Sequence, residues 1–156
     1  MIFLTHLLGG IVSVAYFGGF LGIIGNGGSS GKVVAVAVAM LFSLLPDIDT
    51  VKSKAGKRLK PFSTILSFTF RHRGFLHSPI AAAMVYFAMR YLFSQSAAAA
   101  AAVGYSSHLV LDSLTREGIA PLSPFSKKRI RGIIRTGRLA EKVLAVILLL
   151  LLLLKL

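Results

Sequence analysis

At 156 residues, 55% of them hydrophobic and with a mean hydropathy of +0.78, the chain is too apolar for a soluble domain, whose apolar share sits near ~45–50%. Its net charge of +13, from 18 Lys and Arg against five acids, would point a soluble chain toward nucleic acid. Here the basic residues gather in two loops between apolar runs, the pattern that orients membrane proteins, so no nucleic acid is expected.

The length accommodates one membrane-embedded domain, residues 1–156, because each crossing takes roughly 20 residues and about four to five spans fit. The expected fold class is all-α, an integral membrane bundle of short transmembrane helices. Cysteine is absent, which removes disulfides and thiolate metal ligands.

In chain order, the first apolar segment runs from Ile2 to Ile24 and is rich in glycine, which lets membrane helices approach closely. It has no basic region ahead of it and carries His6, so it reads as a retained first helix rather than a cleaved signal. Residues Gly25 to Lys32 form a polar turn. The second run, Val33 to Leu45, ends at Pro46. It would reach only about 20 Å against a hydrocarbon thickness near ~30 Å, so it reads as either a re-entrant element or a short span.

Asp47 to Arg73 is a basic loop with Lys52, Lys54, Lys57, Arg58, Lys60, Arg71 and Arg73, and a surface helix is expected around Phe62 to Phe70. A third span is expected over Pro79 to Phe93 and a fourth over Ala97 to Leu114, joined by the short turn Ser94 to Ser96. The alanines from Ala97 to Ala102 imply close helix contact. A second basic loop holds Lys127, Lys128, Arg129, Arg131, Arg135 and Arg138, and Val143 to Leu154 forms a fifth, leucine-rich span.

Placing both basic loops in the cytoplasm fixes the orientation of a multi-pass protein in the inner or plasma membrane. His6 then starts the first span, Asp47 and Asp49 end the second, His72 and His77 open the third, and His108 and Asp112 close the fourth. These seven residues are drawn from only four His and five acids, and they all fall at the cytoplasmic helix ends; Glu117 and Glu141 stand outside the set. Imidazoles and carboxylates converging in a membrane protein suit a divalent metal, Zn²⁺ or Mn²⁺ first and Mg²⁺ as an alternative. Taken singly, an interfacial His is as readily a hydrogen-bonded anchor, and an Asp after a helix pairs with a neighbouring Lys or Arg.

Four pieces of the chain, Thr5-His6, LLPDID at Leu44 to Asp49, HRGFLHS at His72 to Ser78 and HLVLD at His108 to Asp112, occur in an order that resembles the LexA-regulated, membrane-bound metal-dependent hydrolase family, YdjM-like. Carried over position by position, the resemblance marks His6, Asp47, Asp49, His72, His77, His108 and Asp112 as metal-site residues. It implies a metal-dependent hydrolase, and for that chemistry Asp49 is the candidate carboxylate to act as base or to orient a ligand His. Arg71 and Arg73 are candidate phosphate-binding groups. Membrane lipids are the expected partners, with a lipid or amphiphilic phosphoester headgroup as substrate. The alternative is a metal-ion or proton transporter using the same cluster, although a transport site normally lies near the midplane.

Overall fold

The computed structural model describes residues 1–23, 28–49, 75–126 and 128–155, with the backbone alone at Ile48 and Asp49. Among the described residues the chain is helical and contains no strand. Five α-helices follow one another: α1 (Phe3–Phe17), α2 (Gly28–Leu44), α3 (Pro79–Leu92), α4 (Gln95–Ser113) and α5 (Leu139–Leu153). Two short 3-10 turns, Leu45–Asp49 and Phe75–His77, sit on the two sides of the first basic segment.

The helix ends follow from the local sequence. Beyond α1, Gly22 takes φ 64°, a left-handed value that glycine adopts without penalty, and the N–H of Ile23 returns to the carbonyl of Gly18 at 2.8 Å. Regular helix therefore stops at Phe17, short of the expected Ile24. α2 departs in the other direction and begins at Gly28 rather than Val33. Serines cost little in a first turn, where the N–H groups have no helical acceptor in any case. The stretch Gly28–Asp47, 20 residues, is thereby long and apolar enough to cross a membrane by length and composition. Of the two readings left open for this run, its length and composition allow the span. Among the described residues no other helix meets that test; Phe3–Phe17 and Pro79–Leu92 are apolar but shorter.

α3 opens on Ser78, whose hydroxyl accepts from the N–H of Ala81 at 3.3 Å, with Pro79 in the first helical position where its missing N–H costs nothing. α4 opens in the same way on Ser94, which accepts from Ala97 at 3.2 Å. α5 starts at Leu139, earlier than Val143, and so draws Glu141 into its first turn.

α4 is the central element and packs against α1, α2 and α3, while α5 lies along α1. The interior is made of small residues: Ala35, Ala39, Ala98, Ala100 and Ala101 are buried, as the alanine run implies. At Gly104 a methyl group would collide with the backbone of Ala39, and at Gly10 it would press on Ser43. α1, α2 and α4 thus meet almost backbone to backbone. The large apolar side chains face outward instead, with Leu4, Phe17, Val33, Leu41, Phe87, Tyr91 and Leu153 all more than half exposed. A soluble protein buries such residues and leaves few contiguous apolar patches outside.

The second basic segment is more ordered than a plain loop. Ile119 and Ile130 exchange two backbone hydrogen bonds, at 3.0 and 2.9 Å, and the N–H of Ile134 reaches the carbonyl of Leu114 at 3.0 Å. This pairing folds residues 114–134 back across the end of α4 and leaves Lys128, Arg129, Arg131 and Arg135 exposed. The surface helix expected around Phe62 to Phe70 lies outside the described residues.

Candidate metal centre

One end of the bundle gathers the starts of α1, α3 and α5 with the ends of α2 and α4. There, His6, His77, His108 and Asp112 are fully buried, and the side chain of Asp47 is 19% exposed. Every buried polar residue among those described, Thr5, Ser43, Ser78, Ser107, Thr115 and Glu141 included, lies toward this same end.

His108 is oriented by the way α2 stops. Pro46 has no N–H to return to the carbonyl of Ser43 three residues back, as a 3-10 turn would require. That carbonyl lies 2.7 Å from Nδ1 of His108. A carbonyl only accepts, so Nδ1 carries the proton and Nε2 is left to face the cluster, where the neutral ring offers a lone pair. This arrangement of one nitrogen on a backbone carbonyl and the other inward is the usual setting of a metal-ligating histidine.

Around that nitrogen the donors are closely spaced. Nε2 of His77 is 3.4 Å away, and Oδ2 of Asp112 lies 3.7 Å from Nε2 of both His77 and His108. His108 and Asp112 are four residues apart on α4, so they share a helix face. Oδ1 of Asp47 stands 3.9 Å from His108 Nε2 and 4.0 Å from His77 Nε2. A tetrahedral site with metal bonds of ~2.0–2.2 Å has ligand-to-ligand edges of roughly 3.3–3.6 Å. The triad of His77, His108 and Asp112 therefore has the size of one face of such a site. Donor atoms of these three all lie within 4.8 Å of one another, as do those of His6, Asp47 and His108.

His6 completes the group from α1. Its ring stacks on that of His108 with centroids 3.7 Å apart and planes 12° from parallel. Nε2 of His6 approaches Oδ1 of Asp112 at 3.4 Å, whereas Nδ1, buried as well, makes no hydrogen bond. A buried polar atom in that state costs about 1–3 kcal/mol, which a cation bound beside the ring would offset. The Met1 amino nitrogen also reaches Oδ1 of Asp112, at 2.7 Å. By this test the residues fit a divalent cation with nitrogen and oxygen ligands.

The structure thus brings together His6, Asp47, His77, His108 and Asp112 out of the seven sequence candidates. The backbone of Asp49 lies in the 3-10 turn after α2, but its side chain falls outside what is described, as do His72, Arg71 and Arg73. Glu141, set apart in the sequence, is a correction. It is fully buried at the same end, where Oε1 accepts from the N–H of Ile2 and from Oγ1 of Thr5 at 3.2 Å, and Oε2 accepts from the N–H of Gly137 at 2.6 Å. It ties α5 to the turn of α1 that carries His6. The signal available was a lone acid among basic residues at the head of an apolar run, which reads equally well as a solvated first-turn residue.

Comparison with known proteins bears on the family of the chain. Over 144 residues the chain is 31% identical to the uncharacterized protein YvsG of Bacillus subtilis, covering 89% of this chain and 84% of that one. Over 95 residues it is 39% identical to the inner membrane protein YdjM of Escherichia coli, and the same holds for YdjM of Shigella flexneri. These 95-residue matches cover 57% of this chain and 48% of each relative, so the matched stretch is about half the length of those two proteins. No solved structure matches the chain. With residues 1–155 matched by the family model, the chain belongs to the YdjM inner membrane protein family.

Proposed function

We propose that this protein is a multi-pass inner-membrane hydrolase that holds a divalent metal ion, Zn²⁺ or Mn²⁺ before Mg²⁺, in the His/Asp cluster and cleaves a polar ester in a lipid or amphiphilic phosphoester headgroup. The observation that carries the reading is the buried set His77, His108 and Asp112 with the partly exposed Asp47, in which the two imidazole nitrogens lie 3.4 Å apart and 3.7–4.0 Å from the carboxylate oxygens, and the tautomer of His108 is set by Ser43. Burial inside a bundle whose outer surface is leucine, phenylalanine and valine supports the integral membrane placement, since such a surface suits lipid. With both basic loops cytoplasmic, the cluster lies at the cytoplasmic leaflet.

His77, His108 and Asp112 would hold the ion, with Asp47 closing the set from the partly exposed side. A bound divalent ion supplies Lewis-acid polarisation of the scissile group and lowers the pKa of water. The protein's own part is positional. Ser43 holds the imidazole of His108 against rotation, Asp47 marks the open side from which substrate and water enter, and the apolar bundle keeps the lipid tails in hydrocarbon while the headgroup reaches the site. Asp49 is the proposed base, and Arg71 and Arg73 the proposed phosphate contacts. Lys and Arg near the membrane surface add roughly 1 kcal/mol each of attraction for anionic headgroups.

Transport is the weaker reading. Among the described residues, the interior away from this end is lined by Val12, Val14, Ala35, Ala98 and Ala100, with no buried polar side chain to carry an ion across. The test is a panel of phospholipids and isoprenoid phosphates in mixed micelles with Zn²⁺, Mn²⁺ or Mg²⁺. Metal-dependent release of headgroup or phosphate, abolished by His108→Ala, is expected; turnover of water-soluble esters alone would overturn the lipid assignment.

A further inference from the structure

We propose that the cluster is built for two divalent ions bridged by the carboxylate of Asp112, with His6 serving one ion and His77 and His108 the other; the inference rests on the metal-centre reading above. The stacking of His6 on His108 is the first ground. An imidazole donates along a lone pair in its own ring plane, and these two planes are nearly parallel with centroids 3.7 Å apart. Rings stacked face to face do not direct their lone pairs at a common point. They present them side by side, at a separation close to the ~3.5–4 Å between ions in two-metal sites.

The second ground is how Asp112 divides its oxygens. Oδ1 faces His6 at 3.4 Å, whereas Oδ2 faces His77 and His108, each at 3.7 Å. A carboxylate offers about four lone-pair positions over two oxygens, so one ion on each oxygen remains compatible with the Met1 nitrogen that also reaches Oδ1. Asp47 shares a 4.8 Å group of donor atoms with His6 and His108, and it stands 4.0 Å from His77, so it borders both positions.

The third ground is His6 itself. One ion held by His77, His108 and Asp112 would leave Nδ1 of His6 without a hydrogen bond and its Nε2 with only the 3.4 Å approach to Oδ1 of Asp112. An ion in the His6 plane satisfies one of them. It also gives the bundle a reason to bury a third imidazole against two that already suffice for a single centre.

The inference is tested by metal stoichiometry and electron paramagnetic resonance on detergent-purified full-length protein, stripped with chelator, reloaded with Mn²⁺ and desalted. Wild type should retain two ions per chain and show the spectrum of an exchange-coupled pair. His6→Phe keeps a ring to stack on His108 but has no donor nitrogen, so it should retain one ion with an uncoupled six-line spectrum; His6→Ala serves as a second variant. One uncoupled ion in wild type, unchanged in His6→Phe, overturns the pair while leaving the single-ion reading standing. No retained ion in wild type overturns both.

Discussion

Single residues at the cluster end do two kinds of work, and Glu141 separates them. Its carboxylate accepts from Ile2, Thr5 and Gly137, bridging the start of α5 to the start of α1. Hydrogen bonds to a charged group are worth about 1.5–3 kcal/mol each when a partner is removed. Glu141→Ala should therefore lower the thermal unfolding midpoint in detergent by several degrees, whereas Glu117→Ala, at an exposed position, should change stability by no more than about 0.5 kcal/mol and leave the midpoint near that of wild type. Equal midpoints would show that the buried carboxylate is structurally idle. The gathering of His6, His77, His108 and Asp112 was legible in the sequence because the helix order puts all four at one end, although each residue taken singly has a bland explanation. Glu141 stayed hidden because the chain around it, Arg138 to Lys142, reads as charged surface; only the fold reveals that α5 turns this acid inward.

At the scale of elements, the site depends on how closely α4 lies against α2, since those helices carry His108, Asp112 and Ser43, and Asp47 follows in the 3-10 turn that ends α2. Gly104 sets that approach: any side chain there meets the backbone of Ala39. Gly104 is one turn before His108, so a displacement at this level moves the imidazole away from the Ser43 carbonyl. Gly104→Leu should destabilise by about 1–3 kcal/mol or more, the range for overpacked cores, and should weaken metal retention with it. Gly19→Leu, where nothing lies within 4 Å, should change neither. The measurement is thermal unfolding of the two variants with metal content on the same samples. Equal stability of Gly104→Leu and wild type would contradict the close contact. The alanine run made this contact readable in advance, because small residues in an apolar segment have little to offer except proximity. The helix ends were less legible. Apolar patterning located α2 but missed its first turn, since Ser29, Ser30 and Gly31 look like a loop until their place at a helix start is known.

At the scale of the whole molecule, the up-and-down order of the helices brings residues separated by more than one hundred positions, His6 and Asp112 among them, to one end. In the proposed orientation, which puts the cluster on the cytoplasmic side, cysteines introduced at Lys57 and Arg131 should resist an impermeant thiol reagent in intact cells, and one at Asn26 should react. The absence of native cysteine leaves no background, and labelling of the basic positions but not of Asn26 would reverse the orientation. The claim on which the rest depends is that the buried imidazoles and carboxylates bind metal. Its most direct measurement is elemental analysis of detergent-purified protein after Zn²⁺ or Mn²⁺ loading and desalting, wild type beside His77→Ala and His108→Ala, with circular dichroism to verify that each remains helical. At least one ion per chain in wild type, lost from both folded variants, is the predicted result; a wild type that retains no metal, or variants that retain all of it, would contradict the account.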